Sequence, residues 1–407
     1  MIILEENKEH ELTEQIKPKK LRWKKILSYL LVFFIGTQAG LIYYRFNFPG
    51  LTYETVLNLS RIGKLIDKHY YKDYDKQTVQ DGIMTGMVFG LQDNFSYYLS
   101  THDNDVYSGD ITGNYVGIGI TMSPNEQGFL EVVAPFDGSP AQKAGILPGD
   151  ILFKIEGKQY MYDESDTAVD IIRGKKGKPV EIEIKREGVE NFTLSIVRDV
   201  IEVESVVAKR LDDNTCYIRI SRFDVTTYDD FVEKAEELKL DENTNLILDL
   251  RDNPGGVVTS ATGIADSFIT DGKILTIKYK SGKEEITKAD SKKLNIKYPV
   301  AVLVNGNSAS ASELVSGALK DTGTGYIIGD TTYGKGVVNQ KFPLYGKKAL
   351  VLTVAEYLTP NGTCIHKKGI EPDLKVSIDE NIRKSSSELT EEEDTQLKKA
   401  IEYLKNR

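Results

Sequence analysis

The chain has 407 residues, 40% apolar and 28% charged, with 52 Lys and Arg against 61 Asp and Glu, a net charge of −9. That length exceeds one compact domain, the composition excludes a disordered or fibrous chain, and the acidic balance argues against a nucleic-acid binder. Two cysteines, Cys216 and Cys364, and four histidines without an HExxH pattern leave no disulfide scaffold, no Cys-rich zinc module and no zincin site.

The charge is unevenly distributed. Residues 1–25 carry a net of +2 and the remainder a net of −11. Six basic residues and no acid lie between Lys17 and Lys25, and the nineteen residues Ile26 to Tyr44 then carry no formal charge. As a helix that run reaches roughly 28 Å, about the hydrocarbon thickness of a bilayer. It predicts a transmembrane signal-anchor at 26–44. The basic tail 1–25 would then be cytoplasmic and everything after about residue 45 extracytoplasmic, a single-pass protein of the cell membrane. A buried core helix is a weaker reading of the run. A cleaved signal peptide is a stronger rival, since Thr37-Gln38-Ala39-Gly40 offers small residues, but the run is long for it and bulky residues follow.

Residues 52–100 read as helical. Leu57, Ile62, Leu65 and Ile66, then Ile83, Met84, Met87, Val88 and Leu91, recur at helical spacing, with a break at His69–Tyr74. From Tyr115 to about 199 short apolar strands alternate with Gly, Pro and Asn turns. From 200 to 378 strands alternate with helices, which predicts an α/β core. Glu388–Lys405 is a charged helix with a stripe at Leu397, Ile401 and Leu404, suited to docking on the core or to an oligomer contact. The helical segments 45–112 and 381–407 are the candidates for a homodimer interface. No fixed-period repeat is present.

Within 113–199, Tyr115-Val116-Gly117-Ile118-Gly119-Ile120 places two glycines in a loop entering a strand. Ser139-Pro140-Ala141-Gln142-Lys143-Ala144-Gly145 reads as a short helix, with Ser139 as N-cap, Pro140 at the first position and Gly145 as the stop. Leu147-Pro148-Gly149-Asp150 turns into a strand, a second helix covers roughly Ser165–Ile172, and Val180–Lys185 pairs with Asn191–Val197 through Gly188. The segment resembles a PDZ domain over its whole length. The resemblance implies a groove that adds an extended peptide to a sheet edge, with its C-terminal carboxylate on the N–H groups of Val116, Gly117, Ile118 and Gly119. An interdomain brace without ligand is the rival reading of the module. Arg173, at the end of the second helix, could contact that carboxylate or the neighbouring domain, although a single exposed arginine is more often merely solvated.

Three strand-turn units follow. Asn245–Arg251 runs into Asp252-Asn253-Pro254-Gly255-Gly256. Val300–Val304 runs through Asn305-Gly306-Asn307 into Ser308-Ala309-Ser310-Ala311-Ser312-Glu313. Tyr326–Gly329 ends in Asp330-Thr331-Thr332-Tyr333-Gly334-Lys335-Gly336. A serine at a strand-to-helix turn exposes its hydroxyl beside free N–H groups, although a hydroxyl at a helix start is more often only a cap. It needs a base. No histidine sits in a comparable motif, and His366 lies beside Lys367 and Lys368 in a polar turn. Lys335, between two glycines, is the better candidate. A free lysine titrates near about 10.4 and a useful base near roughly 7–8, so Lys335 must be desolvated.

Taken together and in this order, downstream of a PDZ-like segment, these motifs resemble the C-terminal processing peptidases, also called tail-specific proteases, over about residues 50–380. The resemblance implies a mixed α/β chain with a crotonase-like protease core at 200–380, and a serine endopeptidase with a Ser–Lys dyad that needs no cofactor and no metal. Its substrates would be proteins or peptides with exposed apolar C-termini. It assigns Ser310 as nucleophile and Lys335 as general base, with Ala311 and Gly255 or Gly256 as oxyanion donors. Ser308 and Ser312 are the alternative nucleophiles; Lys335 stands 25 positions after Ser310, the family spacing. Four positions after the lysine the family has Gln, where this chain has Asn339 followed by Gln340. Asn339 is the expected partner of the lysine, one methylene shorter. A membrane-anchored PDZ scaffold that cuts nothing, and a Ser–His peptidase using His366, are the rival functions.

Overall fold

The computed structural model describes residues 23–46, 51–379, 386–390 and 392–406, apart from 126, 137, 203, 242, 243 and 291–299. Contacts divide the chain into two units, one ending at Val79 and one beginning at Gln80.

In the first unit the charge-free run forms the helix Trp23–Phe46. Its large apolar side chains from Trp23 to Ile35 are 48–74% exposed, so none is packed as a core helix would pack it. Among the described residues no helix is long and apolar enough to cross a membrane, so the expected span at 26–44 is not shown by the fold. Residues 1–22, most of the expected basic tail, lie outside the described residues. Tyr53–His69 follows, started by Thr52, whose Oγ1 accepts the N–H of Thr55 at 3.2 Å. Lys76–Phe89 comes after the break predicted at His69–Tyr74. The helical region then ends earlier than expected. Tyr97–Leu99 is a strand, paired antiparallel with Ala349–Leu358, and Thr101–Thr112 is a further helix.

Residues 120–197 form a five-stranded antiparallel sheet in the order Ile120–Pro124, Leu130–Pro135, Ile151–Ile155, Pro179–Lys185, Phe192–Val197. Alternate residues Val180, Ile182 and Ile184 are fully buried with Leu130, Val132 and Leu152, as a one-faced sheet requires. Ser139 caps Pro140–Lys143 through Gln142 N–H at 3.2 Å, and the second helix is Ser165–Ile172. Asn114–Gly117 does not join this sheet. It pairs with Asp199–Glu202, so entry and exit of the module form one two-stranded ribbon.

The core sheet has six strands, in the order Leu374–Lys375, Gly325–Gly329, Val300–Val304, Asn245–Asp249, Thr215–Ile220, Val206–Arg210. All pairings are parallel except the last. Parallel strands covered on both faces must be apolar throughout, and Val300–Val304 is buried at every position. One face carries Phe231, Ile264, Val315 and Ala318 from three helices. The other receives Ala400 and Leu404 of the terminal helix Thr395–Lys405. That helix therefore packs on the core, one of its two expected roles; residues 381–385 lie outside the described residues. Because Asp249 pairs with Leu303 and Val304 with Gly329, the three motif turns leave one edge of the sheet together. A second sheet carries Val337–Pro343 against Ala349–Leu358, with a register shift between Val338 and Asn339.

Arg251 is a fully buried cation between Asp249, at 2.6 Å, and Asp394 at the start of the terminal helix, at 2.8 Å. Burial alone would push the Asp249 carboxyl up, but Arg251, Arg219 and the Tyr217 hydroxyl hold it below the usual range. Removing one partner of a buried pair strands the other charges. Arg251→Met should therefore lower stability by about 3–5 kcal/mol, read from urea unfolding; an unchanged midpoint would show that the network holds nothing together.

Candidate active site

Ser310 is the residue before the helix Ala311–Thr322, with φ 54° and ψ −111°. A non-glycine residue in this region is strained, and the strain presents its side chain on a sharp strand-to-helix turn. Several bonds fix the turn. Ala309 N–H donates to Asn253 O at 3.0 Å and Tyr333 N–H to Ser308 O at 3.0 Å. The Tyr357 hydroxyl donates to Ser310 O at 2.9 Å. The two flanking serines are committed elsewhere: Ser308 Oγ donates to Leu250 O and Ser312 Oγ to Asn253 O. Both are fully buried, whereas Ser310 is half-buried and lines a cavity of about 780 Å³. Of the three candidate nucleophiles only Ser310 lines it.

Gly255 and Gly256 line the same cavity. Gly255 has φ +100°, and a Cβ there would lie 2.7 Å from both Ala309 O and Ser310 Cβ, so only glycine lets this loop touch the serine turn. Its N–H is already bonded to Asn253 Oδ1 at 2.9 Å. The N–H groups of Gly256 and Ala311 donate to no protein acceptor among the described residues, which leaves these two available to an oxyanion.

Lys335 reaches the cavity from the third turn. The link between the two motifs is Glu313, fully buried. Its Oε2 accepts the N–H of Ser310 and of Lys335, both at 2.8 Å. Its Oε1 accepts the N–H of Gly334 and the hydroxyl of Thr332, both at 2.6 Å. Burial lowers the pKa of the Lys335 amine from the ordinary lysine value, against the carboxylates of Glu313 and Asp93, which raise it. The amine lies 5.1 Å from the centre of the Phe95 ring. Among the described residues the Ser310 hydroxyl and the Lys335 amine share the cavity without being hydrogen-bonded to each other, and such bonds commonly close only once substrate is present.

Asn339 lines the cavity beside Lys335, while Gln340 is exposed on the opposite side of the strand. The Asn339 amide nitrogen donates to Phe95 O at 2.5 Å, so this residue holds the Phe95 turn, and no bond joins it to the amine. His366 does not line the cavity. Its ring meets Phe95 edge-on at 6.0 Å, and its Nδ1 is buried without a partner among the described residues.

The module at 113–199 carries a separate groove of about 300 Å³, lined by Gly117, Ile118, Gly119, Ile120, Met122, Leu130, Val169, Ile172 and Arg173. Val116 does not line it; it pairs with Val200 in the ribbon, as Gly117, which does line it, pairs with Asp199. Tyr115 lines both the groove and the larger cavity. The guanidinium of Arg173 sits 5.0 Å from the centre of its ring.

Glu313, Phe95, Tyr115 and Tyr357 have structural places in the site that the sequence reading did not assign. Glu313 alone carried a signal, the Ser-x-x-Glu spacing of a capping box; the other three depend on contacts between distant segments.

The sequence pattern of Peptidase family S41 matches residues 214–376, and that of a PDZ domain matches residues 131–186. The chain is 37% identical over 321 residues to the carboxy-terminal processing protease CtpA of Bacillus subtilis, covering 79% of this chain and 68% of that one. It is 35% identical over 333 residues to a carboxy-terminal-processing protease of Bartonella bacilliformis, covering 79% and 76%. A solved structure described as an S41 protease of Bacteroides fragilis superposes with a TM-score of 0.52 at 15% identity, covering 83% of this chain and 98% of that one. At that identity the likeness is one of fold.

Glutamine at position 313 keeps one acceptor oxygen and loses the charge. Glu313→Gln should cost about 1–3 kcal/mol of stability for each donor left unpaired and lower turnover about a hundredfold. Paired denaturation and peptide-cleavage assays check both; full turnover in the variant would remove Glu313 from the site.

Proposed function

The chain belongs to the carboxy-terminal processing proteases of peptidase family S41, serine-type peptidases that here carry a PDZ domain, and from that premise we propose that it cuts protein tails with Ser310 and Lys335. The observation that carries this reading is the shared cavity: a serine on a strained turn and a half-buried lysine line it together with Gly256, whose N–H, like that of Ala311 next to the serine, donates to no protein acceptor among the described residues.

The neutral Lys335 amine takes the Ser310 proton as Oγ attacks the carbonyl carbon of the scissile peptide. The carbonyl π pair moves to oxygen, and the N–H groups of Ala311 and Gly256 receive the oxyanion; in comparable sites one such donor contributes about 3–4 kcal/mol. Gly256 is preferred over Gly255 because the Gly255 N–H is engaged by Asn253. Collapse of the intermediate breaks the C–N bond, the ammonium of Lys335 returns the proton to the departing amine, and a water molecule then hydrolyses the ester on Ser310. A lowered lysine pKa brings the neutral amine into play at a lower pH than a free lysine would. Activity should therefore rise with pH through the Lys335 titration.

The groove at 117–173 takes an extended peptide ending in an apolar residue, its carboxylate on the N–H groups of Gly117, Ile118 and Gly119. The apolar lining of Ile118, Ile120, Met122, Leu130, Val169 and Ile172 supports this. Tyr115, with Arg173 on its ring, is the contact through which an occupied groove reaches the catalytic cavity. The helix Trp23–Phe46 anchors the enzyme in the membrane with its catalytic part outside the cytoplasm; its exposed apolar side chains and the six basic residues from Lys17 to Lys25, before and at its start, support that placement.

Mass spectrometry of fragments released from a protein with an apolar C-terminal tail tests the chemistry. Ser310→Ala should release none, and Lys335→Ala should lose about 10²–10⁴-fold. Equal fragment yield from the wild type and Ser310→Ala would leave only a tail-binding scaffold. Loss in His366→Ala with retention in Lys335→Ala would move the base to the histidine. Deleting residues 1–44 should shift activity from the membrane pellet to the soluble fraction.

A further inference from the structure

The turn Asp93–Ser96 lies outside the stretch matched by the peptidase family pattern, 214–376, yet it touches two residues that line the cavity, Lys335 and Asn339. The Phe95 ring covers the Lys335 amine at 5.1 Å, and the Phe95 carbonyl accepts the Asn339 amide at 2.5 Å. The turn is itself fastened. Asp93 Oδ1 accepts the Phe95 N–H at 3.0 Å, and Asp93 Oδ2 accepts the Ser96 hydroxyl at 2.5 Å. Ser96 Oγ in turn accepts the Thr353 N–H at 2.9 Å. The next residues, Tyr97–Leu99, are registered on Ala349–Leu358 with Tyr97 opposite Val351. A side chain delivered by so many fixed bonds to the face of an amine has a defined position.

We propose that Phe95 is a positioning residue of the catalysis, a cover for the Lys335 amine supplied by the segment before the PDZ domain. This rests on the reading that Ser310 and Lys335 carry the cleavage. The ring acts in two ways. It excludes water from the resting amine, which favours the neutral form that can accept a proton. When the Ser310 proton arrives on Nζ, the new ammonium lies over the ring face, whose quadrupole attracts it. The other groups facing the amine are the carboxylates of Glu313 and Asp93, which favour its charged form. The His366 ring packs against the same Phe95 ring, centroid to centroid 6.0 Å. Without the cover, water would join the two carboxylates in holding the lysine protonated.

Labelling of the full-length chain by a fluorophosphonate probe reads the activated serine without relying on a particular substrate. Rates are compared between about pH 7 and about pH 10 for wild type, Phe95→Leu, Phe95→Ala and Ser310→Ala. Phe95→Ala hydrates the amine, so labelling should fall about tenfold near neutral pH and recover to within about threefold at high pH. Phe95→Leu keeps the apolar cover and loses the ring face, so its profile should keep its shape and run about threefold lower throughout. A Phe95→Ala profile parallel to the wild type, or unchanged from it, overturns the proposal, since a merely structural residue lowers the amount of active enzyme equally at every pH. Labelling of the wild type no faster than Ser310→Ala overturns the Ser–Lys reading itself, and is told apart by the wild type alone.

Discussion

Glu313 is a fully buried carboxylate whose two oxygens accept four donors: the N–H groups of Ser310, Gly334 and Lys335 and the hydroxyl of Thr332. A carboxylate taken out of water is tolerable only when its acceptor sites are filled, and here every donor belongs to the Ser310 turn or to the turn Thr332–Lys335. One side chain thereby ties the turn before the helix Ala311–Thr322 to the turn after the strand Gly325–Gly329. It also supplies its own residue's neighbour, Ser310, with a bond that the strained backbone there needs. The strain at Ser310 is thus over-determined by Glu313 on one side and by the Tyr357 hydroxyl on the other.

The same carboxylate creates an electrostatic difficulty. It stands close enough to Lys335 to favour the ammonium, as does Asp93, while a general base must be neutral. Burial is the larger influence and acts the other way. On the proposed function the site is therefore a balance: the charge that aligns the backbone works against the protonation state that a lysine base requires, and apolar cover must outweigh it. This explains why the surroundings of the amine matter as much as its position. An isolated Gly-Lys-Gly turn, as read from sequence, holds no such cover.

Much of the core was legible because its signals are local. Val300–Val304 is a continuous apolar run and Leu246-Ile247-Leu248 an apolar centre, as strands covered on both faces must have. Ser139-Pro140 marks a helix start by rules that involve only adjacent residues. What was not legible depends on pairing at long range. Tyr97–Leu99 sits in a window that reads as helical, and only its partner strand, some 250 positions later, makes it a strand. The glycine-flanked loop at Val116–Gly119 suggests free N–H groups; the pairing of Val116 with Val200 and of Gly117 with Asp199 across the module could not be seen from either segment alone. Asn339 was placed beside Lys335 by position, and it does line the same cavity. Its bond runs to Phe95, a residue that no local pattern near the lysine announces.

Tyr115 is where two scales of the molecule meet. It lies in the strand Asn114–Gly117, which pairs with Asp199–Glu202 and so carries the covalent entry to the PDZ domain alongside its exit. Its ring lines the catalytic cavity on one side and the peptide groove on the other. Burial raises the pKa of its hydroxyl, while the charges of Arg173 and Arg222 lower it; of the two, Arg173 sits over the ring. A ligand carboxylate in the groove would compete with that ring for the Arg173 guanidinium, because a charge-assisted bond is stronger than a cation–π contact. Arg173 begins at the end of the helix that forms one wall of the groove. Its movement toward a ligand would free the Tyr115 ring without any change in the PDZ core. On the proposed function, then, exchange of partners at Arg173 is one contact by which an occupied groove would reach the cavity that Tyr115 also lines.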